Sequence, residues 1–354
     1  MYWWENTFLK VENNRLKISG RDAEDLTGEF GTPLFIYSRA RVLHNLKRIQ
    51  KAFAGNGARE IRICYAMKAN FFFELLSLLH SRGIWIDTVS PGEVSRALEA
   101  GFPPERIIYT GTSVSREDLI QIFRRPGIIL NIDAEEQLDL MIELKGKGNF
   151  ISLPRVSLRW NPGSGRGFSP KTVTAGARAS DGTPIKFGLE ESRVLPVLKK
   201  AEKAGFSPIG LHQHLGSGWN LQDFEFVKET VDRMISQAKR FIAAGINLEF
   251  LDFGGGFGPR YYRDQSLFPL EDYAGHIISS LEKSGISLPT IAIEPGKFLI
   301  GDAGILLLRV EYIKSSYGNL FACVNGGTFN TVPRPAIYAE ARHTVINSTS
   351  GLRI

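Results

Sequence analysis

From residue 61 onward the chain alternates short, β-branched apolar runs with longer amphipathic stretches, and this rhythm constrains the fold more than any other feature. Eight runs have strand character: Ile61–Ala66, Ile84–Val89, Ile107–Thr110, Ile128–Ile132, Arg155–Trp160, Ile209–His214, Phe250–Phe253 and Thr290–Ile293. Helical patterns fall between them, at Phe71–His80, Gly92–Ala100, Glu135–Leu144, Arg193–Ala204, Phe224–Ala243 and Leu270–Ser284. A strand followed each time by a helix must pair in parallel with its successor, because the helix carries the chain back to the starting edge. Eight such units predict an α/β fold of the (β/α)8 TIM barrel type. An open doubly wound sheet is the alternative, but it would carry its phosphate loop after the first strand. Here the first strand runs into Lys68, and the glycines follow the seventh.

The ends follow a different pattern. A short strand pattern (Leu9 to Ile18) and a helix-like run (Ala23 to Phe30) precede Gly31-Thr32-Pro33, and residues beyond Gly301 are β-rich, at Ile305–Ile313 and Leu320–Val324. The expected division is a barrel over 33–300 and a second, mainly β domain built from 1–32 plus 301–354. Residues 163–183, rich in Gly, Ser and Thr, interrupt the fifth unit and are expected to form a mobile loop near the site.

Composition narrows the class. At 354 residues, 43% apolar and 23% charged, the chain is that of a globular protein with a large core. No apolar run approaches the roughly 20 residues needed to span a bilayer. The start, Met1-Tyr-Trp-Trp-Glu-Asn, lacks the features of a signal peptide. Two cysteines, Cys64 and Cys323, lie in strand-like segments and suggest buried free thiols, hence a cytoplasmic location. The net charge of +6 is scattered without a basic run, which argues against nucleic acid and suits small anionic ligands.

In a β/α barrel, chemistry gathers at the carboxyl ends of the strands. Four segments fall there: Lys68, His212-Gln213-His214-Leu215-Gly216-Ser217, Gly254-Gly255-Gly256 and Glu294-Pro295-Gly296-Lys297. A lysine at a strand mouth can hold an aldehyde as a Schiff base. Glycines without a Cβ let backbone amides approach a phosphate, and Ser217 can add a hydroxyl. Glu294 follows the apolar Ile291-Ala292-Ile293, so a buried carboxylate in need of a partner is expected, and a pyridine nitrogen is such a partner. His214 could stack on a ring, while His212 is expected to bond a backbone carbonyl. A metal held by His212 and His214 lacks an evident third ligand, and none is expected.

These residues resemble the fold-type III pyridoxal phosphate (PLP)-dependent decarboxylases, most closely the diaminopimelate decarboxylase family. The likeness runs through Gly31-Thr32-Pro33-Leu34-Phe35-Ile36-Tyr37, Tyr65-Ala66-Met67-Lys68-Ala69-Asn70, Asp87-Thr88-Val89-Ser90-Pro91-Gly92-Glu93 and Lys186-Phe187-Gly188-Leu189. It continues through the cofactor segments and Arg334-Pro335-Ala336-Ile337-Tyr338. The resemblance implies an α-decarboxylase of an amino acid, with meso-diaminopimelate giving L-lysine as the leading reaction and another basic or acyl-linked amino acid as the alternative. It implies Lys68, His214 and Glu294 as catalytic residues. Asp87, Arg159, Ser217, Gly254, Gly255, Gly256, Gly296 and Tyr338 would join them around the cofactor, and Lys297, Arg334 and Tyr338 would meet the substrate. It also implies a homodimer with shared sites. Two departures stand out: Lys297 replaces the family's arginine, and a Cys-Glu-Ser-Gly-Asp-like segment and a late tyrosine are expected only after Ile354. A 354-residue form is therefore expected to hold cofactor yet turn over weakly, unless His343 supplies the proton.

Overall fold

The computed structural model describes residues 2–55, 59–148, 152–288, 290–327 and 344–348. The chain divides into two compact units, one comprising residues 47–259 and 265–298, the other residues 1–46, 260–264 and 299–354.

The larger unit is a parallel barrel. Its strands are β1 (Glu60–Ala66), β2 (Trp85–Thr88), β3 (Ile107–Tyr109), β4 (Ile129–Ile132), β5 (Arg155–Asn161), β6 (Ser207–His212), β7 (Phe250–Asp252) and β8 (Thr290–Ile293). Each pairs in parallel with its sequence neighbour, β8 pairs with β1, and β4 with β5, so the sheet closes. All eight lie within two residues of the expected bounds. Helices follow the strands: α1 (Phe73–His80), α2 (Pro91–Glu99), α3 (Arg116–Phe123), α4 (Glu135–Gly146), α5 (Glu191–Lys203), α6 (Phe224–Ala243) and α7 (Leu270–Ser284). Local chemistry starts them. Ser90 accepts a hydrogen bond from the Glu93 amide ahead of Pro91 in α2, and Ser115 with Asp118 forms a reciprocal cap on α3. Helix α3 and the helix Arg39–Ala52 were not among the expected helices; the Ser115-x-x-Asp118 cap was the available signal for α3.

Along the strands the barrel interior changes from apolar to polar. Cys64, Ile108, Ile129, Ile209, Phe250 and Ala292 form one buried cluster, each from a different strand or its edge. Nearer the carboxyl ends the buried residues are Asp87, Arg159, His212, Asp252 and Glu294. A ring of ionisable groups in a closed core is costly unless each finds a partner, so this layer is where function concentrates.

The smaller unit contains the hairpin Leu9–Glu12 with Arg15–Ile18, the helix Ala23–Phe30, and the antiparallel pair Leu34–Tyr37 with Gly304–Leu307. That last pair moves residues 33–46 into the terminal unit, away from the expected boundary at 33. A second hairpin, Val310–Ser316 with Asn319–Val324, belongs to the same unit. Cys323 lies on this hairpin and is half-buried, not buried as expected, whereas Cys64 is fully buried.

Candidate active site

Lys68 is the middle residue of a single 3-10 turn, Met67–Ala69, that continues β1 without a break. Gly296 packs beneath that turn, where a Cβ would lie 3.1 to 3.2 Å from the Cβ atoms of Ala69 and Ala66. The Lys68 side chain is 50% exposed, and its Nζ stands 3.4 Å from Oδ2 of Asp87, which is closed off from solvent on β2. Burial and the nearby Glu294 push the Asp87 carboxyl up to about 7, against the opposing pull of Lys68. Loss of bulk water pulls the Lys68 ammonium down, but the charges of Asp87 and Glu294 outweigh it and hold the amine above its usual value.

Glu294 comes directly after β8 and is 3% exposed. Its Oε2 lies 3.3 Å from His212 Nε2, and among the described residues its Oε1 has no protein partner. Burial would raise this carboxyl, yet His212 and Lys68 overcome it and hold Glu294 below the usual carboxylate range. This corrects the expectation for His212: the ring meets a carboxylate instead of a carbonyl. Strand β6 also ends at His212, so His214 stands two residues beyond it, on the loop. The sequence pair His-x-His therefore splits into two environments. Asp252, the last residue of β7, supplies the third group that the metal alternative lacked. Donor atoms of His212, Asp252 and Glu294 all lie within 4.8 Å of one another, and His214 is not among them.

Thr174 holds His214. Its Oγ1 is 2.7 Å from Nδ1 of the ring and 3.0 Å from the carbonyl oxygen of the same residue. The hydroxyl has one proton; given to the carbonyl, it leaves Oγ1 to accept from a protonated Nδ1. Burial, with Lys68, keeps the imidazole pKa well below its ordinary value, so the ring is neutral with a bare Nε2. Thr174 was not a sequence candidate. It sits in the segment expected to be mobile, and backbone bonds tie that segment down. Arg166 N and Thr174 N donate to Leu215 O, Phe168 N donates to Ser217 O, and Ser217 N donates to Thr172 O. Gly216, at φ +141°, makes this approach possible, since a Cβ there would fall 2.0 Å from Arg166 O.

The glycine loop threads between neighbouring strand ends. A Cβ on Gly254 would lie 2.3 Å from Gln213 O, and one on Gly255 would lie 2.3 Å from Glu294 O. Asp252 Oδ1 accepts from Gly254 N at 2.9 Å, and Gly256 O accepts from the amides of Gly218 and Trp219. Among the described residues no protein group accepts from the Gly255 and Gly256 amides. Close by, Lys297 Nζ donates to Ser217 Oγ; crowding and the Lys68 charge lower the Lys297 ammonium pKa. Arg159, on β5, is 7% exposed and already engaged, 3.6 Å from Asp133 and stacked 4.5 Å from the Phe187 ring centre. Arg334, Tyr338 and His343 lie outside the described residues.

These groups fit pyridoxal phosphate. Lys68 offers an amine, Glu294 Oε1 an unpartnered buried acceptor, and the Gly255 and Gly256 amides with Ser217 a set of donors for phosphate.

Comparison with known proteins agrees. A family model described as the pyridoxal binding domain of pyridoxal-dependent decarboxylases matches residues 39–301. The chain is 37% identical over 340 residues to a diaminopimelate decarboxylase of Methanothermobacter thermautotrophicus, covering 95% of this chain and 76% of that protein. The diaminopimelate decarboxylase of Helicobacter pylori, solved with L-lysine, superposes with a TM-score of 0.77 at 32% identity, covering 86% of this chain and 73% of that one. The Methanocaldococcus jannaschii enzyme, also solved with L-lysine, gives 0.83 at 29% identity, covering 97% and 78%. No described helix is long and apolar enough to cross a membrane. The chain is a carboxy-lyase of the pyridoxal-dependent decarboxylase family, with pyridoxal phosphate as its cofactor.

Proposed function

We propose that the chain removes the α-carboxylate of meso-diaminopimelate, releasing carbon dioxide and L-lysine. The observation that carries this reading is the meeting of Lys68, Asp87 and a half-engaged, buried Glu294 at one barrel mouth, in a chain 37% identical to a diaminopimelate decarboxylase.

When bound, the cofactor supplies an electron-withdrawing ring that stabilises the carbanion left by decarboxylation. The protein's own residues prepare for that chemistry. Lys68 anchors the cofactor aldehyde, and Asp87, poised near neutrality, can hold or return the proton that the Lys68 amine sheds. Glu294 would hold the pyridine nitrogen in its protonated form. His214, neutral and fixed by Thr174, would lie beside the ring without adding charge. Ser217 and the glycine amides would hold the phosphate, while Asp87, Arg159 and Gly296 would shape the surrounding wall. Lys297, beside Ser217, would meet the substrate; Arg334 and Tyr338, given that role by the family resemblance, lie outside the described residues.

The working unit is a homodimer in the cytoplasm. The terminal hairpin leaves Tyr312, Ile313, Tyr317 and Leu320 exposed, an apolar group suited to burial against a second chain. The cysteines are unpaired, which suits a reducing compartment.

The direct test incubates purified, PLP-loaded protein with meso-diaminopimelate and follows carbon dioxide and L-lysine together. Faster release from ornithine or another basic amino acid would overturn the substrate assignment while leaving the reaction class intact.

A further inference from the structure

We infer that His212 is a positioning residue for Glu294: it occupies one carboxylate oxygen from within the barrel and leaves Oε1 as the single oxygen open to the cofactor's ring nitrogen. The inference rests on the reading in which Glu294 meets that nitrogen.

Both residues are almost wholly removed from solvent, at 0% and 3% exposure. A carboxylate in that position cannot persist alone, and His212 Nε2, 3.3 Å from Oε2, is the donor within reach. The charge on His212 decides what the pair can do. As imidazolium it would cancel Glu294 and strand an N–H at Nδ1, which has no partner among the described residues. Buried donors without acceptors are rarer than buried acceptors without donors. As a neutral ring protonated at Nε2, it satisfies Oε2 and leaves the pair with one negative charge for the pyridinium to neutralise. Asp252, the third member of the group, points to the same balance. It gives Oδ1 to the Gly254 amide, and burial, with Glu294 nearby, pushes its carboxyl well above the usual range. Of the two carboxyls beside His212, Asp252 is thus the one that burial favours in its neutral form. Thr174 fixes the opposite tautomer on His214, so the two histidines of His212-Gln213-His214 are set differently for different tasks.

The test uses holoenzyme loaded with PLP carrying nitrogen-15 in the ring, without substrate. The bound ring nitrogen should give the shift of a protonated pyridinium in the wild type. His212→Phe should move it towards neutral pyridine and lower kcat by about 10- to 150-fold, the range expected for one charge-assisted hydrogen bond. His212→Gln, whose amide can still donate, should restore most of both. A pyridinium shift that survives in His212→Phe overturns the inference. Glu294→Gln separates the two levels: if that variant also leaves the ring protonated, the reading of Glu294 itself has failed. Should His212→Phe not take up cofactor, nitrogen-15 histidine spectra of the wild-type holoenzyme decide. They should show His212 protonated at Nε2 alone, and a proton at Nδ1 overturns the proposal.

Discussion

Gly255→Ala separates phosphate recognition from every other part of cofactor binding. A Cβ at this position would lie 2.3 Å from Glu294 O and 3.2 Å from Glu294 C, both backbone atoms that cannot swing away. An ordinary carbon–oxygen contact is roughly 3.3 Å, so the loop must retreat by about 1 Å. Retreat strains the hydrogen bond from Glu294 N to Gly254 O, now 2.9 Å, and crowding in a close-packed region costs about 1–3 kcal/mol. That is below the stability of a domain, so the protein should still fold. Moving the Gly255 and Gly256 amides by 1 Å should remove at least one charge-assisted bond to phosphate, worth about 1.5–3 kcal/mol, or roughly 10- to 150-fold in Kd. The assay titrates apoenzyme with PLP and, in parallel, with pyridoxal, which lacks the phosphate, following the absorbance of the bound chromophore. PLP should weaken by that factor while pyridoxal changes by less than threefold. Equal loss for both ligands, or no loss for either, refutes the phosphate role of the loop.

Three further outcomes follow from the same geometry. Thr174→Val should leave the fold intact but lower kcat by about 5- to 100-fold, because the His214 Nδ1 proton loses its acceptor, while Thr174→Ser stays near wild type in the same kinetic assay. Asp87 has an ordinary pKa of 3.8 and one of about 7 here, so the folded apoenzyme binds a proton that the unfolded chain has released; its stability falls between about pH 4 and 7, by up to about 1.4 kcal/mol per unit. Asp87→Asn should therefore raise the apoenzyme's melting temperature relative to wild type at pH 8 and lose that advantage by pH 4. Lys297→Arg should raise kcat/KM for meso-diaminopimelate relative to ornithine, since a guanidinium can grip a distal carboxylate through two bonds, and an unchanged ratio would take Lys297 out of substrate selection.

The barrel was legible because strand–helix alternation is a local property, written in each segment independently. Lys68, Glu294 and the glycine loop were legible for a related reason. The topology sends every strand end to one face, so residues distant in sequence need no contact information to be placed together. What escaped depended on tertiary detail. His212 and His214 look equivalent in sequence, and only the point at which β6 ends and their separate partners, Glu294 and Thr174, distinguish them. Thr174 is one polar residue among many in a glycine-rich segment, and its role comes from pairing of that segment with residues 215–217. Asp252 was hidden by the glycines after it, which drew attention to the loop and away from the carboxylate at its base. The division between units shifted because Leu34–Tyr37 pairs with Gly304–Leu307, a contact across most of the chain.

Everything proposed for this site depends on Lys68 being the amine that carries the cofactor. Borohydride reduction of PLP-loaded protein, followed by proteolysis and mass spectrometry of the labelled peptide, tests it most directly. A single pyridoxyl group on the peptide containing Lys68, absent in Lys68→Ala, is the predicted result. A label on Lys297 or any other lysine, or an unlabelled protein whose visible absorbance shows the cofactor to be bound, would contradict it.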